Sequence, residues 1–321
     1  MIRLILIIGL AFLIFLFGAA YMCYKMGLIR RDKYDRNYVP ERDDNAPMSP
    51  RASEYRRRAK EYNKWWNAQD LKRYEILSDD GLRLKAGYLP ADKEEHKLAI
   101  VVHGHHCCAG EEGFISQMFH NAGFHVLAVD QRSHGASEGR RITMGYKESR
   151  DIKKWAELMA EEHPDCRMVL YGASMGGATV CMASELDLPK QVVCIESDCA
   201  YTSARGVFEV EMYRSYNWLP CKAFILELSA RMSELFGKFN FNDSHPEAAV
   251  SNAKVPMLFL QGTEDKQVPK EMAQRLYDAH PGKKKLLFFE KAGHNVSFFY
   301  GGEEYRNACI SFFEECAALN G

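Results

Sequence analysis

The stretch VLYGASMGGATVCM, residues 169–182, decides the fold of this chain. Its first residues favour a β-strand and its small residues from Met175 onward favour a helix, with a Gly-x-Ser-x-Gly sequence at residues 172–176 between them. A serine on such a sharp turn is held in a strained backbone conformation with its hydroxyl exposed, and small residues two positions away on either side allow close backbone approach. The stretch therefore predicts a nucleophile, Ser174, at the start of a helix.

Apolar runs on both sides of this stretch predict the other strands of a sheet. Continuous runs of this kind are expected for strands buried on both faces of a parallel sheet. Helical segments alternate with them, which implies right-handed crossover connections. The runs cover residues 98–102, 124–129, 192–195, 256–261 and 286–289. Residues 74–77 and 82–89 flank Ser-Asp-Asp-Gly and predict a hairpin ahead of them. We therefore expect an α/β fold with a mostly parallel sheet flanked by helices.

The segment between residues 201 and 250 interrupts this alternation of strands and helices. It is rich in aromatic residues and helix formers and contains no strand-like run. An insertion at this point of the chain lies over the carboxyl edge of the sheet. The sequence therefore predicts a helical cap at about residues 202–250, with aromatic side chains that form its core or line a pocket.

Two of the predicted strands end in residues that can complete a catalytic triad. Asp265 follows the run at 256–261, and His294 follows the run at 286–289. Both lie downstream of Ser174, in the order Ser, Asp, His that is expected for a serine on this type of turn. Three other acids compete with Asp265 for its role. They are Glu264, which is adjacent, and Glu196 and Asp198, which follow the preceding strand.

The first long apolar run ends in His103-Gly104-His105-His106. Loops at the carboxyl ends of parallel strands are where such folds assemble their sites. We therefore predict two backbone amides as oxyanion donors, those of Met175 and His105. The histidines and the following Cys107-Cys108 also suggest a metal site, but the cluster lacks a carboxylate at ligand spacing and a second histidine cluster downstream. Packed or solvated side chains are favoured here, and no metal is predicted.

The composition describes a globular protein of 321 residues with 42 Lys and Arg against 43 Asp and Glu. This balance, without a basic face, excludes nucleic acid as a predicted partner. The 10 cysteines contain no C-x-x-C pair and no regular spacing, so neither a zinc site nor a disulfide scaffold is predicted. No dinucleotide-type glycine loop follows the first strand, so no cofactor is predicted.

The amino-terminal segment at residues 4–24 carries no formal charge and is long enough to cross a bilayer. Gly18-Ala19-Ala20 would suit cleavage of a signal peptide. The apolar run continues past these residues, however, which favours an uncleaved, single-pass membrane anchor. Basic residues are more numerous after the segment than before it, which favours a cytoplasmic catalytic domain. Those after the segment are Lys25, Arg30, Arg31 and Lys33.

Composition also predicts the division of the chain. Residues 1–29 form the anchor, residues 30–72 a charged tether and a juxtamembrane helix, and residues 73–321 the catalytic domain. The helix is expected from aromatic residues that recur at three- and four-residue steps within residues 51–71. Arg56-Arg57-Arg58 on this helix is interpreted as a solvated face, with contact to anionic lipid as the alternative.

With these residues in place, the chain resembles the α/β-hydrolase fold family, in its branch of bacterial esterases and serine-aminopeptidase-like hydrolases with a helical cap. The similarity covers about residues 73–317. It is carried by His103-Gly104, DQRSHGASEG from Asp130, GASMG at 172–176, HPEAAV…VPMLFLQGTEDKQVP through Pro269, and AGH from Ala292. The residues HHCC after the first glycine depart from the small or polar residues common in the family.

The resemblance implies a serine hydrolase in which Ser174 attacks, His294 transfers protons and Asp265, at the family position, orients the histidine. The leading prediction is a membrane-anchored carboxylesterase that acts on small or lipid-like esters. A peptidase or amidase with the same triad is the alternative, and a non-enzymatic protein with a degenerate site is the third. The predicted partners of the enzyme are a small-molecule ester or amide substrate and, through the N-terminal helix, the membrane.

Overall fold

The computed structural model describes residues 2–30, 50–93 and 95–319. Its centre is an eight-stranded sheet with the strand order β1-β2-β4-β3-β5-β6-β7-β8. The strands are β1 (Lys72–Leu77), β2 (Arg83–Leu89), β3 (Lys97–Val102), β4 (His125–Asp130), β5 (Arg167–Ala173), β6 (Val192–Asp198), β7 (Met257–Gly262) and β8 (Lys284–Phe289). The pairs that involve β2 are antiparallel, and the five other pairs are parallel. The predicted hairpin and mostly parallel sheet are confirmed.

Helices cover both faces of the sheet and its carboxyl edge. They are α1 (Ile2–Leu28), α2 (Pro50–Asn67), α3 (Gly113–Asn121), α4 (Glu148–Glu162), α5 (Met175–Ala183), α6 (Ala204–Ser215), α7 (Lys222–Gly237), α8 (Pro246–Ser251), α9 (Lys270–Ala279), α10 (Ser297–Gly301) and α11 (Glu303–Leu319). Short 3-10 helices cover Ala109–Glu112 and Phe241–Asp243. As predicted, residues 201–250 contain helices and no strand.

The core lies on the two faces of the sheet, because successive residues of a strand point to opposite sides. On β3, Ala99 and Val101 pack in one apolar cluster with α3 and α11, whereas Ile100 and Val102 pack in a second cluster with α4 and α5. Burial of each large aliphatic side chain contributes about 1.5–3 kcal/mol. The uninterrupted apolar runs in the sequence are therefore explained by burial on both faces.

Among the described residues, α1 is the one helix that is long and apolar enough to cross a membrane, a property that anchors and signal sequences share. Residues 2–15 are exposed. Further along, Leu16, Ala20, Tyr24 and Leu28 are buried at intervals of four residues, which places them on one face of the helix. This face packs along α7 of the cap. The N-terminal helix is thus integrated into the fold at its carboxyl-terminal half.

The chain that leaves α1 is hydrogen-bonded to the loop after β4. Ile29 forms an antiparallel bridge with Arg141. The Arg30 amide donates to the Arg140 carbonyl at 2.9 Å, and the Ile142 amide donates to the Leu28 carbonyl at 2.9 Å. Most of the predicted tether, residues 31–49, lies outside the described residues, and α2 at its far end packs against α3.

Candidate active site

Ser174 lies on the sharp turn between β5 and α5 with φ 55° and ψ -117°. A non-glycine residue with positive φ is strained, and such strain is common at functional sites. The neighbouring glycines are required by contact: a Cβ on Gly172 would overlap the Gly176 carbonyl, and a Cβ on Gly176 would overlap the Val102 carbonyl. The Ser174 amide donates to the Asp198 carbonyl at 2.8 Å. Close backbone packing therefore holds the strained serine in place.

We expect Gly176→Ala to lower the free energy of unfolding by about 3 kcal/mol, because the new methyl group can be accommodated only if α5 moves away from β3. Thermal unfolding of the full-length protein in detergent measures this. Gly293→Ala is the matched control, since a Cβ there would meet Val296 Cγ2 at an ordinary 3.9 Å. Equal unfolding temperatures for the two variants would contradict the packing argument.

The structure brings Ser174, His294 and Asp265 together in one hydrogen-bonded row. His294 Nε2 lies 2.8 Å from Ser174 Oγ, and His294 Nδ1 lies 2.7 Å from Asp265 Oδ2. A carboxylate can only accept a hydrogen bond, so the ring carries its proton on Nδ1 and donates it to Asp265. Its Nε2 is then free to accept from the serine hydroxyl. This is the arrangement in which an imidazole can act as a general base toward serine.

The Asp265 carboxylate is fixed by three further donors. Its Oδ1 accepts from the amides of Gln267 and Val268, both at 2.9 Å. Its Oδ2 accepts from Gln261 Nε2 at 3.1 Å in addition to the imidazole. These contacts leave little freedom for the carboxylate to turn, and its side chain is fully buried.

Asp198 and Glu196, two of the rival acids, lie on β6 and are buried. Asp198 Oδ2 accepts from the Tyr305 hydroxyl at 2.8 Å, and burial raises the pKa of this carboxyl to about 7. Burial raises the pKa of Glu196 well above its usual range. The imidazole of His294 donates to Asp265 and not to either of these, so the geometry favours Asp265 as its orienting acid.

The raised pKa of Asp198 predicts a pH-dependent stability. Its folded pKa of about 7 is above the ordinary value of about 3.9, so its contribution is fully present below pH 4 and is lost as pH rises through 7. As pH rises from 5 to 9, the wild type should lose a few kcal/mol of stability that Asp198→Asn, which has no carboxyl group to ionise, retains. Thermal unfolding at both pH values measures the difference, and parallel pH curves for the two proteins would contradict it.

The loop after β3 is fixed by neutral histidines. His103 donates from Nδ1 to the Gly104 carbonyl at 2.7 Å and accepts at Nε2 from the Gln131 amide at 3.0 Å. His134 accepts at Nε2 from the His106 amide at 3.1 Å. Burial lowers the pKa of both rings. These histidines thus hold the loop in shape through hydrogen bonds to its main-chain groups.

This shaped loop lies against the serine. A Cβ on Gly104 would be 3.4 Å from Ser174 Cβ, so the backbone of the loop passes directly beside Ser174. Met175 begins α5 on the other side of the serine. The amides of His105 and Met175 therefore belong to the two segments that flank Ser174, and their role as oxyanion donors stays a prediction.

The motif after β4 organises the same edge of the sheet. Asp130 accepts from the Ala109 amide at 2.8 Å and from the Ala136 amide at 2.9 Å, which ties two loops together. The buried Arg132 guanidinium donates to both carboxylate oxygens of Asp151 on α4, at 2.6 and 2.7 Å. Arg132 Nη1 also donates to Asp80 at 3.0 Å, so truncation of Arg132 would leave the buried Asp151 carboxylate without this guanidinium. These residues support the site without contact with the serine.

The side chains of His105 and His106 make contacts that the sequence did not predict. His105 Nε2 lies 2.7 Å from the carbonyl oxygen of Gly27, and His106 Nε2 lies 3.0 Å from that of Met26. Both carbonyls belong to the last turn of α1, where the helix leaves its carbonyl groups without partners of its own. The predicted oxyanion loop is therefore hydrogen-bonded to the end of the apolar N-terminal helix.

Among the described residues, one group has the spacing of metal ligands: Cys199, Asp265 and His294 offer atoms within 4.8 Å of one another. Two of its three members are hydrogen-bonded to each other in the row that ends at Ser174. The group therefore coincides with the predicted triad.

A cavity of about 1490 Å³ lies in front of Ser174 and His294. Its walls include α1, α2, the loop after β3, the cap and the loops after β7 and β8. Most of the lining side chains from α1 and the cap are apolar. They include Phe15, Met22, Met26, Tyr201, Val207, Phe208, Met212, Leu226 and Phe241. Such a cavity can hold an apolar group beside the serine.

Comparisons with known proteins agree with this fold. The family model described as serine aminopeptidase, S33 matches residues 93–198, and the model for the C-terminal part of BAAT / acyl-CoA thioester hydrolase matches residues 156–305. The uncharacterized protein YqkD of Bacillus subtilis is 24% identical over 234 residues, which cover 71% of this chain and 74% of YqkD. A monoacylglycerol lipase of Mycolicibacterium smegmatis is 30% identical over 107 residues, which cover 31% of this chain and 36% of the lipase.

Solved structures with this fold include an esterase and a peptidase. The Pyrococcus furiosus esterase Pf2001 superimposes with a TM-score of 0.63 at 22% identity, over 88% of this chain and 99% of the esterase. The Pyrococcus horikoshii acylaminoacyl peptidase superimposes with a TM-score of 0.59 at 16% identity, over 79% of this chain and 43% of the peptidase.

The sheet order, the turn at Ser174 and these similarities define a hydrolase with a capped α/β architecture. The chain has the α/β-hydrolase fold, and two parts of it match hydrolase family models. Its similarities extend to an esterase, a lipase and an acylaminoacyl peptidase alike.

Proposed function

We propose that this protein is a serine hydrolase that cleaves carboxylic esters through an acyl-enzyme intermediate. The observation that carries the proposal is the hydrogen-bonded row of Ser174, His294 and Asp265 at the wall of a large cavity. A serine hydroxyl is a weak nucleophile until a base within hydrogen-bond reach removes its proton. His294 Nε2, at 2.8 Å from Ser174 Oγ, is in reach.

In the proposed reaction, Ser174 Oγ attacks the ester carbonyl carbon while its proton passes to His294 Nε2. The tetrahedral intermediate places its negative oxygen toward the amides of Met175 and His105. When the tetrahedral intermediate collapses, the bond between its carbon and the ester oxygen breaks. The leaving alkoxide takes the proton from His294 and departs as an alcohol. Water then repeats the sequence on the acyl-enzyme and releases the carboxylic acid. Asp265 holds the imidazole tautomer and stabilises the imidazolium throughout.

An ester with an apolar acyl group fits the lining of the cavity. The side chains from the cap and from α1 are mostly aliphatic, aromatic or methionine, and they offer few groups to pair with a peptide backbone. Methionine adapts its shape to different apolar ligands. Similarity to an esterase and to a monoacylglycerol lipase supports the same choice.

A serine peptidase or amidase with the same triad is the second candidate. Glu211 and Glu264 also line the cavity, and a carboxylate there could bind the ammonium group of an aminoacyl substrate. The serine aminopeptidase family model and the acylaminoacyl peptidase structure support this candidate.

Labelling by a fluorophosphonate tests the proposed nucleophile. Full-length protein in detergent micelles is treated with the probe, beside Ser174→Ala and the matched control Ser184→Ala. Ser184 lies at the other end of α5, where its buried hydroxyl donates to the Cys181 carbonyl. We expect labelling of the wild type and of Ser184→Ala and none of Ser174→Ala. An unlabelled wild type would instead favour a non-enzymatic binding protein.

Reporter substrates then separate the two enzymatic candidates. A series of p-nitrophenyl esters of increasing acyl length is compared with aminoacyl p-nitroanilides at equal concentration. Turnover of the esters, with an optimum at some acyl length, supports the proposed function and measures the pocket. Cleavage of the anilides without comparable ester turnover would select the peptidase.

A further inference from the structure

One face of the apolar N-terminal helix forms part of the wall of the catalytic cavity. Phe15, Gly18, Ala19, Met22 and Met26 line the same cavity as Ser174 and His294. Their spacing of three or four residues places them on one side of α1. In an isolated membrane anchor, this face would contact only lipid. Here the same face also lines the cavity that contains Ser174 and His294.

A neighbouring face of α1 fixes the level of the cap along the helix. Ser229 Oγ of α7 donates to the Ala20 carbonyl at 2.9 Å, and the rings of Phe236 and Tyr24 are 6.1 Å apart. Leu16 packs in one cluster with Leu219 and Ile225. The two helices therefore run in parallel, and the start of α7 lies at the level of Leu16.

We call residues 213–224, the last turn of α6 through the first turn of α7, the cap tip. Three large side chains of the cap tip are exposed: Tyr213 at 51%, Trp218 at 73% and Phe224 at 49%. Tyrosine and tryptophan concentrate at membrane interfaces. The cap tip carries two cations. Lys222 Nζ lies over the Tyr213 ring at 5.3 Å and donates to the Asn217 carbonyl at 2.9 Å, and Arg214 is paired with Glu211.

The length of the exposed part of α1 places the cap tip in the bilayer. Arg3 marks the polar end of the apolar run, and residues 4–15, which precede the cap contact, extend about 18 Å at 1.5 Å per residue, whereas a hydrocarbon core is about 30 Å thick. A spanning α1 therefore needs about 12 Å more of its length inside the membrane. That length is already packed against α7, so the cap tip must enter the near leaflet with it.

We propose that the cavity opens into the near leaflet between α1 and the cap tip, and that the substrate is a membrane lipid ester whose hydrocarbon chain lies along α1. Phe15, Trp218 and Leu219 line the cavity at the level of the cap tip, and Gly27 lines it beside the oxyanion loop. The distance along the helix from Phe15 to Gly27 is about 18 Å at 1.5 Å per residue. The chain would span this distance with its ester at Ser174. This inference rests on the proposed function for the chemistry, and on α1 and the cap tip for the route.

The insertion of the cap tip is tested by fluorescence. Full-length protein is reconstituted in phosphatidylcholine vesicles whose acyl chains carry bromine at defined depths. Trp66 and Trp155 are buried and Trp65 is half-buried, so Trp218 is the exposed indole. We expect quenching that is strongest for bromine near the headgroup and is lost in Trp218→Phe. Equal emission of wild type with and without bromine would overturn the insertion.

The route along α1 is tested with two matched glycine substitutions. A Cβ on Gly18 or on Gly9 meets nothing within 4 Å, but only Gly18 lines the cavity. We expect Gly18→Leu to slow hydrolysis of a long-chain ester in vesicles at least tenfold relative to a short-chain soluble ester, because the added side chain blocks an apolar channel. Gly9→Leu should match wild type on both esters.

The outcomes separate this inference from the proposed function. If both glycine variants keep the wild-type ratio of long-chain to short-chain turnover, the route along α1 is wrong although the triad stands. If wild type is neither labelled nor active on any ester, the proposed function fails, and the fluorescence still reports on the cap tip. Gly18→Ala, with a smaller side chain, should fall between wild type and Gly18→Leu and guards against an effect of misfolding.

Discussion

Ser174→Ala is expected to lower kcat for ester hydrolysis on the order of 10⁶-fold, the loss seen when the nucleophile of such a triad is removed. The variant keeps the cavity and the predicted oxyanion amides, so residual hydrolysis above the rate in water should persist. Initial rates on a p-nitrophenyl ester, with full-length protein in micelles, measure the effect. The serine sits under backbone strain at φ 55°, and alanine can keep the same backbone.

The control for this prediction is Ser184→Ala, which makes the same change at the other end of α5 and should retain the wild-type rate. Circular dichroism of both variants shows whether the fold is unchanged. If Ser174→Ala hydrolysed every ester at the wild-type rate, the acyl-enzyme mechanism would be wrong, whatever the probe labels.

Asp265→Asn is expected to lower kcat about 10⁴-fold because it stabilises the wrong imidazole tautomer. The amides of Gln267 and Val268 point at Oδ1, so an asparagine would turn its carbonyl oxygen toward them and its NH₂ group toward His294 Nδ1. The ring would then accept at Nδ1 and carry its proton at Nε2. In that state it cannot accept the Ser174 proton. The pH dependence of kcat measures whether the base has been lost.

Asp198→Asn and Glu264→Gln are the matched controls for the acid. Asp198 is buried like Asp265, but it accepts from Tyr305 and not from the imidazole of His294. Both controls should keep kcat within about tenfold of wild type. A loss in Asp198→Asn as large as that in Asp265→Asn would move the role of orienting acid to β6.

The sheet and the row at Ser174 could be predicted because their signals are local. Strands buried on both faces appear as apolar runs, and the strand, turn and helix around Ser174 are continuous in sequence. The end of β6 was missed for a physical reason. The strand was predicted at residues 192–195, but it continues to Asp198. A carboxylate in the sequence indicates a loop, whereas here the Tyr305 hydroxyl donates to it and allows it to remain buried in the strand.

The contacts of α1 could not be predicted, because they join segments far apart in the chain. Nothing in a 21-residue apolar run distinguishes the half that faces lipid from the half that packs on α7. The contacts of the histidines after Gly104 could not be predicted either. The sequence favoured packed or solvated side chains over metal ligands, but it could not show that the rings of His105 and His106 lie against carbonyl groups of Gly27 and Met26, which no local pattern brings near.

The junction after α1 has a kinetic consequence. Because Ile29 and Arg30 pair with residues 140 and 141, α1 and the sheet cannot rotate relative to each other as they would on a free tether. A membrane-bound enzyme held in one orientation meets a lipid only by lateral diffusion. On the proposed route, its rate in vesicles should therefore follow the mole fraction of substrate in the bilayer, and dilution with inert lipid should slow it even when the total amount of substrate is unchanged.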